Sequence, residues 1–247
     1  MGRSLQHFLL TRFNVRFPRH RAPDKCWLMH RLALFETFCF PSVRDQEDND
    51  FTWVIFVDHE TPSWVLSRLA RLQNVRHFVP IKVKRYDRRR VATDLKFLRD
   101  HRPLLTSRLD NDDVIACDFV KTAKAIAGTK VTKWINYEIG YRFDFRGLYQ
   151  INHLSNSFLN LYESRPVVKT ALGVMHQRAG AYAPITNVSA KPMWIQVVHD
   201  KNLKYQRDAS PLYASFRSIP DLLKRFSPEV VNRIQEIIAS KGSLGIS

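Results

Sequence analysis

The segment Leu104-Leu105-Thr106-Ser107-Arg108-Leu109-Asp110-Asn111-Asp112-Asp113 joins a stretch with leucine at three of its six positions to three carboxylates. The stretch predicts a buried strand, and the acidic residues predict the turn that ends it. In open α/β sheets, ligands bind in the crevice outside the carboxyl ends of the strands. The segment therefore predicts a binding site at a strand end near the middle of the chain.

Strand and helix patterns alternate through the first half of the chain. Other buried strands are predicted over residues 7–15, 51–57 and 78–83. Helices are predicted from an Asp24 cap to just before Pro41, over 63–72, and over 119–127. Pro80, within the third strand, favours the edge of a sheet. The alternation predicts an α/β fold with a Rossmann-type, mostly parallel central sheet flanked by helices.

The second half of the chain predicts a mixed arrangement. Residues 134–152 are aromatic and strand-like, with Gly140 and Gly147 at positions where turns are predicted. The remaining predicted elements are a short helix, a strand and a closing helix, over residues 157–163, 193–198 and 227–240.

Size and composition fit one globular domain. The 247 residues are 45% apolar and 25% charged, enough for one good-sized core. We expect a single domain over 1–247, with a sheet half at about 1–128, a mixed half at about 129–205 and a helical tail at 206–247. No stretch reaches the roughly 20 apolar residues of a membrane span. The three cysteines show no CxxC spacing and cannot all form disulfides, which fits a reducing compartment. We therefore expect a cytoplasmic protein.

The net charge of +16 attracts polyanions, whether nucleic acid, an anionic membrane face or phosphorylated substrates. The densest basic run, residues 82–90, is either a solvated loop or a docking patch, and composition alone leaves both open. One hypothesis is therefore a basic nucleic-acid-binding protein without enzymatic activity. The sequence contains no helix-turn-helix, zinc-finger or RNP-like signature that would support this hypothesis.

The acidic turn can also serve metal chemistry. Mg²⁺ is often held by one or two carboxylates together with substrate phosphates. Asp110 and Asp112 can supply such ligands, and a metal there would stabilise charge on a leaving nucleotide. The alternative is a turn that only caps the next helix. An EF-hand does not fit, because Ile115 stands at the glycine position. A phosphatase of the haloacid dehalogenase type would carry its motif after the first strand, whereas three predicted strands precede Asp110.

The acidic segment looks like the core motif of the rhamnosyltransferase family of GT-A enzymes, and other segments resemble that family in the same order. The segments are residues 7–14, 27–28, 31–32, 51–62, 106–113 and 196–202. The resemblance implies a GT-A-like fold and transfer of a sugar, rhamnose by the family's name, from a nucleotide-diphospho-sugar. The implied acceptor is a hydroxyl on a glycan or glycolipid, and the implied cofactor is Mn²⁺ or Mg²⁺.

The resemblance also implies roles for residues at the strand ends. The residues implied at the nucleotide-sugar are Thr11, Arg12, Asp58, Arg108, Asp110 and Asn111. The implied metal ligands are Asp110, Asp112, Asp113 and His199. The alternatives stay open: Arg12 as a surface cation, Arg108 as the partner of an aspartate, and His199 as an ordinary loop residue.

The catalytic base is the least determined part of the site. An inverting transferase needs a carboxylate or histidine to accept the proton of the acceptor hydroxyl. The candidates in the mixed half, which would bind the acceptor, are Asp144, Glu163 and His176, and we favour Glu163 at the end of a predicted helix.

The basic run at 82–90 would hold the protein peripherally on the anionic inner face of the membrane.

Overall fold

The computed structural model describes residues 5–18, 22–128, 131–145, 147–164, 169–189, 191–199 and 219–242. The strands are β1 (Gln6–Arg12), β2 (Thr52–Asp58), β3 (Val79–Val83), β4 (Leu104–Asp110), β5 (Val114–Ile115), β6 (Lys133–Tyr137), β7 (Ile139–Phe143), β8 (Leu148–Asn152), β9 (Asn160–Glu163), β10 (Ile185–Val188) and β11 (Trp194–Val197). The α-helices are α1 (Lys25–Leu34), α2 (Phe40–Arg44), α3 (Ser63–Gln73), α4 (Val91–Asp94), α5 (Phe119–Ala127), α6 (Ile219–Leu223) and α7 (Pro228–Gly242). The predicted boundary at 205/206 lies outside the described residues.

The larger sheet has the strand order β10-β6-β9-β4-β1-β2-β3. Strand β1 pairs in parallel with β2 and β4, and β2 pairs in parallel with β3. Strand β9 runs antiparallel between β4 and β6. The prediction of a mostly parallel central sheet in an α/β fold is confirmed. Strand β3, which carries Pro80, lies at the sheet edge as predicted, where a missing ladder donor costs little.

A smaller sheet of order β5-β11-β7-β8 packs on the same core. Phe38 contacts Phe143 with ring centroids 6.0 Å apart, and Trp194 stacks on Phe158 at 4.8 Å. Strand β5 directly follows the acidic turn and pairs with β11. This pairing brings the end of β11 to the acidic turn, so the two halves of the chain meet there.

The first helical region continues past the predicted stop at Pro41. A π-helix (Phe35–Cys39) follows α1 and leads into α2. The Phe40 N–H donates to the Phe35 carbonyl, five residues back. This wider turn accommodates Pro41, which cannot donate a backbone hydrogen bond and would clash in a regular helix. The predicted end of the helix is therefore wrong.

The helix predicted over 157–163 is also wrong, because its second part is strand β9. All four residues of β9 are buried, since the strand lies between β4 and β6. Polar residues stand at both ends of β9, Asn160 and Glu163, and both are buried. Because the strand is buried on both faces, its residues show no alternation that would distinguish it from a helix.

Gly140 and Gly147 differ in role. Gly147 lies in the turn between β7 and β8, as predicted, and its N–H donates to the Asp144 carboxylate at 3.0 Å. Gly140 lies inside β7 instead of in a turn, where a Cβ would stand 2.1 Å from the Trp194 ring. The glycine is needed there because the indole packs directly on the backbone.

Within the described residues, no helix is long and apolar enough to cross a membrane.

Candidate functional site

The carboxyl ends of the central parallel strands meet at one edge of the larger sheet. Arg12, the last residue of β1, lies beside Asp110, the last residue of β4. Asp58 ends β2 on the other side of β1. The predicted site therefore lies at the edge where parallel α/β sheets bind their ligands.

Asp110 is held between two guanidinium groups. Arg12 donates to one carboxylate oxygen at 2.7 Å, and Arg108 donates to the other at 2.7 Å. Burial alone would raise the pKa of Asp110, but Arg108 and Arg12 hold it well below its usual range. The Nε atoms of both arginines are buried without a hydrogen-bond partner. Two cations around one carboxylate leave a net positive charge and spare donors for an anion.

A small pocket opens beside this cluster, with a volume of about 120 Å³. Arg88 and His176 line it together with Arg12 and Arg108. The Arg12 guanidinium also lies over the Tyr86 ring, 5.7 Å from its centroid. The pocket thus combines three guanidinium groups with one imidazole.

Asp112 faces a different set of partners. One of its carboxylate oxygens accepts from Arg31 on α1 and lies 3.0 Å from His199 Nε2. The His199 ring in turn contacts His30, whose Nε2 is 3.3 Å from His199 Nδ1. Arg31 packs over the Trp27 ring at 5.1 Å. Residues far apart in sequence therefore converge on the second aspartate of the motif.

Asn111 and Asp113 hold the turn in place. The Asn111 amide donates to the Phe13 carbonyl at 2.7 Å, which ties the turn to the chain after β1. Asp113 accepts from the Val197 N–H at 3.0 Å and so fixes the end of β11. Burial, together with Asp112 and Asp110, raises the pKa of Asp113 well above its usual range.

Thr11 does not face the site. Its side chain is fully buried, and its hydroxyl accepts from the Trp53 indole at 3.0 Å. Successive side chains of a strand alternate between faces, so Thr11 points into the core when Arg12 points to the pocket. The structure corrects the prediction that Thr11 contacts the nucleotide-sugar.

Asp58 is buried and already bound. The Arg16 guanidinium donates to both of its oxygens at 3.1 Å, and the Glu60 N–H donates to one of them at 2.9 Å. Arg16 lowers the pKa of Asp58, against the effect of its burial. A ligand at this strand end would therefore meet Arg16 before Asp58.

The three candidate bases lie in different places. Glu163 pairs with Leu104 at the start of β4, about 20 Å of extended strand from Asp110 at its end. Its carboxylate accepts from the Lys169 and Thr170 N–H groups and from the Tyr182 hydroxyl. The structure corrects the preference for Glu163, which braces a loop at the opposite end of the sheet.

Asp144 and His176 lie nearer to the site. Asp144 follows Phe143, which pairs with Val197 close to His199, but the Asp144 carboxylate binds the turn at Gly147. His176 lines the pocket beside Arg108. Its Nδ1 is 2.9 Å from the Ser155 carbonyl, which makes Nδ1 the donor and leaves Nε2 as the acceptor. Of the three candidates, His176 is the one that lines the pocket at Asp110.

The predicted metal ligands divide into two groups. Asp112 and His199 present an oxygen and a nitrogen 3.0 Å apart, a separation that two donors bound to one ion can have. Asp110 faces the arginines instead, and Asp113 faces β11. Among the residues that the structure describes, no three His, Cys, Asp or Glu side chains are grouped around one point. Asp112 and His199 therefore fit an ion whose other ligands come from a substrate or water.

Three residues at the site were not predicted from the sequence: Arg16, His30 and Arg31 in its role as a partner of Asp112. A signal exists for Arg31, because Trp27 and Arg31 are four residues apart and share one face of α1. His30 and Arg16 carry no comparable signal, since their partners are 169 and 42 residues away.

Comparisons with known proteins identify a family and a fold. A model of the family described as "Putative rhamnosyl transferase" matches residues 21–209. No curated protein sequence matches the chain. Among solved structures, S. aureus TarS residues 1–349 with UDP-GlcNAc is similar over 96% of this chain and 71% of that chain, with 12% identity and a TM-score of 0.54.

The same TarS fragment in complex with UDP has 12% identity and a TM-score of 0.52, over 78% of this chain and 61% of that chain. A longer S. aureus TarS structure has 11% identity and a TM-score of 0.50. This chain covers 37% of that longer structure. At such identities the likeness is one of fold.

Proposed function

The chain belongs to the family described as putative rhamnosyl transferase, and we propose that it is a metal-dependent glycosyltransferase with a nucleotide-diphospho-sugar donor. The fold is GT-A-like, as in the TarS structures, which include complexes with UDP-GlcNAc and UDP. The observation that carries the proposal is the pair of aspartates at the end of β4. Asp110 is flanked by Arg12 and Arg108, and Asp112 lies beside His199.

The guanidinium groups are the proposed binding site for the donor's diphosphate. Arg12 and Arg108 carry buried Nε donors without partners, and Arg88 lines the same pocket. Phosphate oxygens match the donor geometry of guanidinium groups and would neutralise their charge. The spare donors next to Asp110 favour an anionic ligand at this strand end.

Asp112 and His199 are the proposed ligands of the cofactor. An oxygen and an imidazole nitrogen suit Mn²⁺ well, whereas Mg²⁺ prefers oxygen alone. A bound divalent ion would neutralise charge on the leaving nucleotide. Asp113 is left out of the proposed ligand set because its carboxylate binds β11.

His176 is the proposed base. Its Nδ1 is engaged by the Ser155 carbonyl, so Nε2 is the nitrogen that can accept the proton of an acceptor hydroxyl. Burial and Arg108 lower its pKa, which keeps the imidazole neutral and able to accept a proton near pH 7. The acceptor hydroxyl would belong to a glycan or glycolipid, and rhamnose is the sugar suggested by the family's description. Cytoplasmic location, with peripheral contact to an anionic membrane, stays a prediction.

A donor panel tests the proposal. The protein is incubated with UDP-, GDP- and dTDP-sugars and Mn²⁺, and release of free nucleotide is measured. We expect release from one class of donor, its loss in EDTA, and its recovery with added Mn²⁺. Asp112→Asn should lose most of the turnover, whereas the matched control Asp100→Asn, at an exposed ion pair with Arg102, should keep it.

The outcomes separate the two parts of the proposal. Full turnover in chelator would contradict the metal assignment and leave the transferase. Absence of nucleotide release from every donor, with a glycan or glycolipid acceptor present, would contradict the transferase itself.

A further inference from the structure

Two histidines from distant parts of the chain lie against each other beside the acidic turn. The His30 Nε2 is 3.3 Å from His199 Nδ1, and the centroids of the two rings are 4.9 Å apart, with an angle of 66° between the ring planes. The other nitrogen of His199, Nε2, is 3.0 Å from a carboxylate oxygen of Asp112. His199 therefore contacts an aspartate with one ring nitrogen and a second histidine with the other.

Helix α1 contacts both proposed metal ligands through neighbouring residues. Arg31 donates to Asp112, and His30, one position earlier, contacts His199. The start of the helix is fixed by Asp24, whose side chain caps it. The orientation of α1 thus sets where His30 stands relative to His199.

The contact lies in a largely buried part of the site. The side chains of His199 and Asp112 are only 4% and 10% exposed, and His30 is half-buried. A buried ring nitrogen without a hydrogen-bond partner is costly. A partner at Nδ1 therefore helps to hold the His199 ring in one orientation.

We propose that His30 is a positioning residue for the metal: it accepts the Nδ1–H of His199 and so directs the Nε2 lone pair of His199 at the ion. The proposal rests on the proposed function and adds a residue that acts through the ligand His199. Metal-binding histidines almost always donate their second N–H to a carboxylate, a backbone carbonyl or water, which fixes the tautomer and the direction of the ring. In this site an imidazole takes that place.

An imidazole at position 30 suits both tautomers of His199. When His199 Nε2 donates to Asp112, Nδ1 is an acceptor, and His30 Nε2 donates to it. When Nε2 binds an ion, the neutral ring carries its proton on Nδ1, which then donates to His30 Nε2. A neutral imidazole can be a donor or an acceptor at Nε2, whereas a carboxylate or a carbonyl could only accept. Each ring carries one proton throughout, so the change needs no net uptake or release of protons.

His30 is not itself placed to bind the same ion. The two nitrogens of an imidazole point away from each other, so an ion at His199 Nε2 lies away from the side on which His30 contacts Nδ1. In keeping with this, no three His, Cys, Asp or Glu side chains are grouped around one point in the part of the chain that the structure describes. The geometry fits a partner of the ligand better than a further ligand.

The test replaces His30 by leucine and by glutamine. Leucine removes the hydrogen bond while filling a similar volume, whereas the glutamine amide reaches about as far as Nε2 and can donate or accept. His77→Leu is the control, because His77 is an exposed imidazole outside the site. Mn²⁺ binding to the full chain is measured by electron paramagnetic resonance with UDP, GDP or dTDP, using the nucleotide that supports the tightest binding to wild type.

We expect His30→Leu to weaken Mn²⁺ binding by about 10- to 100-fold, the usual effect of removing an outer partner of a metal ligand. His30→Gln should keep most of the affinity, and the control should bind as wild type does. A thermal unfolding scan should show that the variants are folded, since His30 is half-buried and His77 is exposed. Wild-type affinity in His30→Leu would overturn the proposal. Equal weakening in His30→Leu and His30→Gln would also overturn it, because packing of the ring would then be what matters.

Nitrogen couplings to Mn²⁺, measured by electron spin echo modulation, supply a second readout, because they count the imidazoles bound directly. One coupled imidazole is expected in wild type and in His30→Gln, and none in His199→Ala. Two coupled imidazoles in wild type would make His30 a ligand and overturn its positioning role.

Failure of the proposed function has a different signature. Absence of Mn²⁺ binding to the wild-type protein with all three nucleotides would contradict the proposed metal site and, with it, the role of His30. Normal Mn²⁺ binding and nucleotide release in wild type, together with unchanged affinity in His30→Leu, would overturn the role of His30 alone.

Discussion

Replacing His176 by alanine tests whether this side chain is the proton acceptor. The ring lines the pocket beside Arg108, and its contact with the Ser155 carbonyl at 2.9 Å leaves Nε2 as the acceptor nitrogen. A positioned general base accelerates a reaction by about 10²–10⁴-fold. The variant should therefore lose about 3–5 kcal/mol of transition-state stabilisation in kcat, with little change in donor KM.

The pH dependence supplies a second readout. Burial, followed by repulsion from Arg108, lowers the pKa of His176 below its ordinary value of 6.5. The neutral ring is the active form, so kcat in the wild type should stay level through pH 6.5 and fall only at lower pH. The variant should lack this acid limb. Because the folded pKa is below the unfolded one, any stability contributed by the neutral ring is present above pH 6.5 and lost on acidification.

The assay is nucleotide release at saturating donor and acceptor between pH 5 and pH 8. His153→Ala is the matched control, because His153 is an exposed imidazole whose Nδ1 binds the same residue, accepting from the Ser155 N–H at 3.1 Å. The control should keep both kcat and the acid limb. Wild-type kcat with an intact acid limb in His176→Ala, in a folded protein, would refute the assignment and leave Asp144 as the remaining candidate.

Three further predictions concern the metal and the fold. His199→Ala should weaken Mn²⁺ binding in the presence of a nucleotide diphosphate, as measured by electron paramagnetic resonance; wild-type affinity would show that His199 is not a metal ligand. His7 is fully buried, and burial and Lys124 lower its pKa to about 3. Acidification from pH 7 to pH 4 should therefore lower the free energy of unfolding by about 3 kcal/mol. The unfolded chain takes up this proton near pH 6.5, so urea unfolding of His7→Phe should show a smaller acid loss, and an unchanged loss would point to other groups. Gly140→Ala should destabilise by about 1–3 kcal/mol or more, because its Cβ would stand 2.1 Å from the Trp194 ring, and a wild-type unfolding temperature would contradict that packing.

The sheet edge could be predicted from the sequence because it depends on local patterns. Uniformly apolar strands such as β2 predict burial on both faces, and a polar residue directly after such a strand marks its end. Parallel strands end at a common edge, which is consistent with the shared site that the family resemblance implied for Arg12, Asp58 and Asp110. Thr11 was assigned wrongly because a strand end alone does not say which of two neighbouring side chains faces the pocket.

The parts that could not be predicted depend on contacts between distant segments. Strand β9 is set by its neighbours β4 and β6, and its own four residues carry no strand alternation. The preference for Glu163 followed from that error, since a helix there would not have required the residue to pair with the start of β4. The His30–His199 contact joins residues 169 positions apart, and neither residue has a local pattern that indicates the other.

The charges at the acidic turn suggest how metal and donor would bind relative to each other. Asp110 and Asp112 together face three guanidinium groups, those of Arg12, Arg108 and Arg31. Two carboxylates do not balance three such cations, so a divalent ion added alone next to Arg31 would meet net positive charge. A nucleotide diphosphate reverses this balance, because its oxygens can take the spare donors of Arg12 and Arg108 and also supply ligands to the ion. The proposed site is therefore electrostatically suited to a donor and a metal that bind together, and less suited to the metal alone.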